Sequence, residues 1–138
     1  MSSRLLDTDC LIGLARATPP ELTDRYLAAV SARAELWVST ITLVEFRYGI
    51  ERSARHAAQE AALSSLLSTI QVAPFDEADA ASAARLKALL ASVGRPIGAY
   101  DLLIAGQALV RNWIVVTANT REFSRVPGLT VEDWTVPA

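Results

Sequence analysis

Four polar side chains stand where the neighbouring residues predict a buried position. Asp7 closes the apolar run "RLLD", and Glu45 sits between Val44 and Phe46. Asp101 is followed at once by Leu102, Leu103, Ile104 and Ala105, and Asn119 comes two residues after the run "WIVVT". An ionised carboxylate beside a core is costly unless it has a partner. Several acids forced together repel, and some stay protonated at neutral pH unless a cation holds them. Hard oxygen donors suit magnesium, with manganese as its substitute. Such an ion lowers the pKa of a bound water and neutralises charge building on a phosphoryl group, so these residue types point to metal-assisted phosphodiester hydrolysis. Other chemistries are poorly supplied. His56 is the only histidine and Cys10 the only cysteine, which removes Cys/His zinc sites and disulfide frameworks.

The elements that must carry these residues follow from patterning. With 138 residues, 51% of them hydrophobic, the chain is about one domain with a sizeable core. No apolar run approaches the roughly 20 residues of a membrane span. "MSSRLLDTDC" has charge where a signal peptide is apolar, so the expected location is cytoplasmic. "RLLD", "LWVS", "IQVAPF", "WIVVT" and "LTVEDW" read as strands, the last one short and at an edge. Helices are expected over "CLIGLARA", from Pro20 through Arg33, from about Ile41 through Arg52, from Ala54 to about Ser68, from Glu77 to Ser92, and over the stretch containing Asp101. Gly94 and Pro96 separate the last two. Strands alternating with helices predict an α/β fold whose mostly parallel sheet is covered on both faces.

Ligands in such sheets bind outside the carboxyl ends of the strands. Asp7 ends the first strand and Glu45 lies one turn into the helix after the second. Asn119 follows the "WIVVT" strand, with Thr117 at its tip and Glu122 nearby. Asp101 opens the helix that leads into that strand, so four segments deliver one residue each to one edge. Two helices precede the "WIVVT" strand, so one of them must run obliquely. Taken singly, each acid has an ordinary explanation. Asp101 gains roughly 0.3–1 kcal/mol from the helix dipole alone, Asp7 fits a turn and Glu45 a solvated helix position. Three such coincidences at one edge favour a shared site.

The motifs "LLDTDCLIGLA", "STITLVEFRYGIERS", "GRPIGAYDLLIAGQAL" and "VVTANTREFSRVPGLTVEDW" resemble, in order and spacing, those of PIN-domain ribonucleases, in particular the VapC-type toxins of bacterial toxin–antitoxin pairs. The likeness runs from Leu5 to Trp134. It implies a single PIN domain over residues 1–138, with a three-layer α/β/α architecture. It also implies magnesium-dependent endonucleolytic cleavage of RNA by a metal-activated water, leaving a 5′-phosphate and a 3′-hydroxyl. Asp7, Glu45 and Asp101 match the family's acidic positions as metal ligands. Asn119 stands at a fourth position that is often Asp, and its amide offers an oxygen without a charge. Thr8 and Thr117 read as donors that orient the carboxylates. Asp9, in "DTD" where "DTN" is the commoner triplet, reads as the cap of the following helix or as an outer acid, with the cap favoured. Arg47, Arg95, Arg121 and Arg125 are the best-placed cations for RNA phosphates, although such arginines are commonly just solvated.

The likeness further implies a homodimer, and a VapB-type antitoxin that binds operator DNA and wraps the toxin into a hetero-oligomer. It implies RNA, tRNA among the candidates, as the substrate. The expected antitoxin groove lies between the apolar faces of the Pro20–Arg33 and Ile41–Arg52 helices. The rivals are a catalytically silent PIN-fold binder, a DxD phosphatase with Asp7 as nucleophile, and a receiver-like domain. The last two need a lysine near a strand end, and the only lysine, Lys87, falls in mid-helix. The three tryptophans read as packing, Cys10 as a small buried apolar residue and His56 as a surface residue.

Overall fold

Short apolar runs alternate with amphipathic ones, and the computed structural model, which describes residues 3–137, turns them into five strands and seven helices among those residues. In chain order they are β1 (Arg4–Leu6), α1 (Thr8–Arg16), α2 (Pro20–Ser31), β2 (Leu36–Ser39), α3 (Thr40–Glu51), α4 (His56–Leu66), β3 (Gln71–Ala73), α5 (Glu77–Ser92), α6 (Ala99–Arg111), β4 (Ile114–Val116), α7 (Thr120–Phe123) and β5 (Val131–Glu132). The strands form one parallel sheet in the order β3-β2-β1-β4-β5. The chain builds outward from β1 on one side and then returns to its other side. The crevice where direction reverses, between the carboxyl ends of β1 and β4, is where such sheets bind ligands.

Side-chain alternation along the strands assigns the two faces. Leu6, Val38 and Val116 enter a core shared with Leu11, Leu22, Phe46, Ile50 and Leu63, from α1 to α4. Leu5 and Val115 enter the other, with Leu86, Leu90, Ile104 and Phe123 from α5 to α7. That is the expected three-layer arrangement. Cys10 is buried in the first core, and so is Trp134. Trp37 and Trp113 stack at 4.9 Å between ring centroids.

The helices start where local chemistry lets them. Ser39 Oγ accepts from the Ile41 N–H at the entry of α3. Asp76 and Asp79 cap α5 reciprocally, at 3.0 and 2.9 Å. α5 and α6 approach so closely that a Cβ on Gly106 would stand 2.6 Å from Ala83 Cα, so glycine is required there. At its far end, Gln107 and Arg111 of α6 donate to the Pro74 carbonyl just past β3, while Asp101 at its start stands beside Asn119 just past β4. α6 therefore lies across the sheet, which resolves how two consecutive helices fit before β4. The short helix α7 has no counterpart in the sequence reading; four residues carry no readable helical period. Among the described residues, no helix is long and apolar enough to cross a membrane.

Candidate active site

Asp7 is 2% exposed at the end of β1. Its extended backbone (φ −77°, ψ 176°) makes it the N-cap of α1, and Oδ1 accepts the Cys10 N–H at 2.9 Å. Its other oxygen accepts from Thr117 Oγ1 at 2.5 Å, and Thr117 Oγ1 accepts the Asn119 N–H at 2.9 Å. A relay of three residues thus ties β1 to β4 across the crevice. Burial pushes the Asp7 carboxyl up to about 7. The two hydrogen bonds pull it down, but the charges of Asp9 and Asp101 push the same way as burial.

The second acid comes from another layer. Glu45, half-buried on the second turn of α3, accepts a short hydrogen bond from Thr8 Oγ1, which also reaches Thr42 Oγ1 at 3.4 Å. Asp101, half-buried on the first turn of α6, is pushed up to about 6 by burial and then by the charge of Glu122, with smaller contributions from Glu45 and Asp9. The Asn119 amide opposes this rise by donating Nδ2 to Asp101 Oδ2 at 3.3 Å.

Acids from four elements therefore share one electrostatic neighbourhood. Among the described residues no ion pair reaches Asp7, Glu45 or Asp101. Nor do three of their acid, His or Cys side chains stand together as a ready ligand shell. The donor set is all oxygen, and two of its carboxyls are raised by burial together with the charge of neighbouring acids. In chemistry and charge it fits a hard divalent ion.

Several expected roles change. Asp9 is not the cap of α1: Asp7 holds that position, and Asp9 is already helical and exposed in the first turn. What remains for it is its field, which raises both Asp7 and Asp101. Arg47 is paired with Glu60 at 3.0 Å on the helical layer. Arg125 donates to the Pro96 carbonyl at 3.0 Å, so it holds a loop. Arg95 and Arg121 are exposed, with no ion pair among the described residues. Lys87 lines an apolar hollow between α5 and α6 with Phe75 and Leu103, which leaves the phosphatase and receiver readings without their lysine.

Three further residues belong to the neighbourhood although sequence reasoning does not select them as site members. Glu122, three residues after Asn119, accepts from the Gly98 N–H and from Asn119 Nδ2 at 2.7 Å. Its carboxyl lies below the ordinary range, chiefly because of the Gly98 N–H and then the Asn119 amide. Arg16 and Arg55 line a cleft of about 550 Å³ whose wall also carries Glu45, Phe46 and Ile12. That cleft is framed by α1, α3 and the start of α4. α2, the other helix expected to line a docking groove, packs on α1, which also packs on α3. The i+3 spacing of Glu122 from Asn119 is a usable signal; nothing in sequence brings Arg16 beside Arg55.

The PIN domain family matches residues 4–129. The chain is 38% identical over 130 residues to the tRNA(fMet)-specific endonuclease VapC of Shigella flexneri, covering 94% of this chain and 96% of that protein. Its fold superposes with a TM-score of 0.89 on a chain of VapBC2 from Rickettsia felis bound to a promoter DNA fragment, at 26% identity, covering 96% and 98% of the two chains. With DNA-bound VapBC from Salmonella typhimurium the TM-score is 0.88 at 36% identity, covering 97% and 99%.

Proposed function

The chain belongs to the PIN-domain family as a VapC-type ribonuclease of toxin–antitoxin systems, and from that premise we propose that it cuts structured RNA, a tRNA in particular, with Asp7, Glu45 and Asp101 holding a magnesium ion. The observation that carries this reading is the convergence of Asp7 and Asp101 from different elements on one crevice: Thr117 donates to Asp7 and accepts the Asn119 N–H, and the Asn119 amide donates to Asp101. Among the described residues no ion pair reaches either acid.

Each residue has a distinct task in this scheme. Asp7, Glu45 and Asp101 hold the ion, and manganese substitutes for magnesium. An ion held there would supply the means to activate a water and to neutralise charge growing on the scissile phosphate. Thr117 and the Cys10 N–H fix the Asp7 carboxylate, and Thr8 fixes Glu45. Asn119 spends Nδ2 on Asp101 and Glu122, which leaves Oδ1 as the acceptor that orients a water. Arg95 and Arg121, with Arg16 and Arg55 beside Glu45, take neighbouring RNA phosphates. In-line attack then leaves a 5′-phosphate and a 3′-hydroxyl. A VapB-type antitoxin holds the protein inactive, seated in the α1–α3–α4 cleft, and supplies the operator-DNA contact. The toxin itself is a cytoplasmic homodimer within that hetero-oligomer.

The deciding experiment is cleavage of a tRNA pool by the purified chain and by Asp7→Ala, with and without magnesium. Cleavage is expected only for the unaltered chain with metal, with 5′-phosphate ends. Equal cleavage in all four arms would overturn the assignment.

A further inference from the structure

We infer that Glu122 is a positioning residue for the cleavage reaction: from α7 it sets where the Asp101 carboxylate stands and which way the Asn119 amide faces. The inference rests on the reading of Asp101 as a site acid.

The start of α6 lacks a cap of its own. Gly98 occupies the N-cap position with no side chain to offer. Its own N–H is taken by Glu122 Oε1, twenty-four residues on. This is half of a capping box, supplied by another helix. A Cβ at position 98 would stand 3.4 Å from Glu122 Oε1 and 3.8 Å from Asp101 Oδ2, ordinary contact distances, so both acids lie against this one residue. Just past α7, Arg125 Nη1 donates to the Pro96 carbonyl, so α7 and the turn after it grip the 94–98 loop at two points. The first turn of α6, and Asp101 with it, is thereby located by α7.

The second oxygen of Glu122 acts on Asn119. Nδ2 donates to Glu122 Oε2 at 2.7 Å and to Asp101 Oδ2 at 3.3 Å. Turned over, the amide would set Oδ1 against two carboxylate oxygens with no proton between them, so both acids enforce one orientation. An amide at position 119 is thus matched to the acid at position 122. A carboxylate at both positions would crowd three negative groups together.

The test uses Glu122→Gln, Asn119→Asp and the double variant, with Asp101→Asn as a control. Glutamine keeps one acceptor oxygen and cannot serve both Gly98 and Asn119. Glu122→Gln should lower kcat by about 10–100-fold and leave KM for RNA unchanged. In the metal-free protein it should shift the Asn119 side-chain amide signals in a ¹H–¹⁵N spectrum, a readout independent of activity. Asn119→Asp should fall at least as far. The double variant should regain about tenfold over Asn119→Asp, because the amide introduced at position 122 can donate to the new carboxylate at position 119. Unchanged kcat with unmoved amide signals in Glu122→Gln, or a double variant no better than the two losses combined, would overturn the inference. If Asp101→Asn keeps full activity, the site reading fails instead. If Asp101→Asn is inactive while Glu122→Gln is unaffected, only the positioning role fails.

Discussion

Two aspartates in this molecule are almost equally hidden, Asp7 at 2% exposure and Asp79 at 1%, yet their carboxyls move in opposite directions. Burial pushes both up. At Asp79 it is outweighed by Arg111, which donates Nε at 3.1 Å and Nη2 at 2.9 Å, by the Asp76 N–H, and by Gln107 Nε2 at 3.0 Å. At Asp7 two uncharged donors and neighbouring acids leave burial dominant. The first is a partnered joint between α5 and α6; the second has no ion pair among the described residues. Solvent exposure alone does not separate these two acids. The sign of the surrounding charge does.

The contrast can be broken from the structural side first. Arg111→Met leaves the Asp79 carboxylate buried without its cation, which should cost roughly 3–5 kcal/mol in urea unfolding. Cleavage per folded molecule should stay as it is. A loss below about 1 kcal/mol would mean that the joint is not what holds α5 to α6.

A smaller but more diagnostic effect comes from pH. The Asp7 carboxyl is raised from 3.8 to about 7 in the folded protein, so the folded state binds its proton more tightly than the unfolded one. The resulting stabilisation is complete below pH 4 and disappears as pH rises through 7, on the order of 4 kcal/mol in all. Asp79, held low, acts in the opposite sense: its contribution is present above the ordinary aspartate range and is lost in acid. Metal-free protein should therefore lose stability between about pH 4 and 7, and Asp7→Asn should flatten that slope. Magnesium should raise the melting temperature more at pH 8 than at pH 5, since protons compete for the same carboxylates. A slope unchanged in Asp7→Asn would assign the titration elsewhere.

The smallest effect separates Asp7 from its neighbour. Asp9→Ala removes a first-turn charge worth about 0.3–1 kcal/mol to the helix and also relieves its repulsion of Asp7 and Asp101, so the net loss should be below about 1 kcal/mol. A true cap would cost up to about 2 kcal/mol.

Much of this is legible in the order of residues because it is local. β2 spans Leu36–Ser39 and α5 spans Glu77–Ser92, the ranges read from the apolar periods and from the break at Gly94. The parallel sheet follows from alternation, and the gathering of Asp7, Glu45, Asp101 and Asn119 at one edge follows from strand ends and helix starts. The cap of α1 is not legible in the same way, because it depends on which residue is still extended, and β1 ends one residue before Asp7. Arg47 and Arg125 look like free cations in the sequence because their partners, Glu60 and the Pro96 carbonyl, lie thirteen and twenty-nine residues away.

Sequence by itself determined the layered fold, the edge that carries the acids and the oxygen-donor chemistry available there, since period, strand length and residue type are properties of short stretches. Tertiary structure alone decided which donors each acid meets. Arg111 reaches Asp79 across thirty-two positions, Thr117 reaches Asp7 across one hundred and ten, and Glu122 reaches Gly98 across twenty-four. Charge compensation depends on distance in space, and only the folded chain sets that distance.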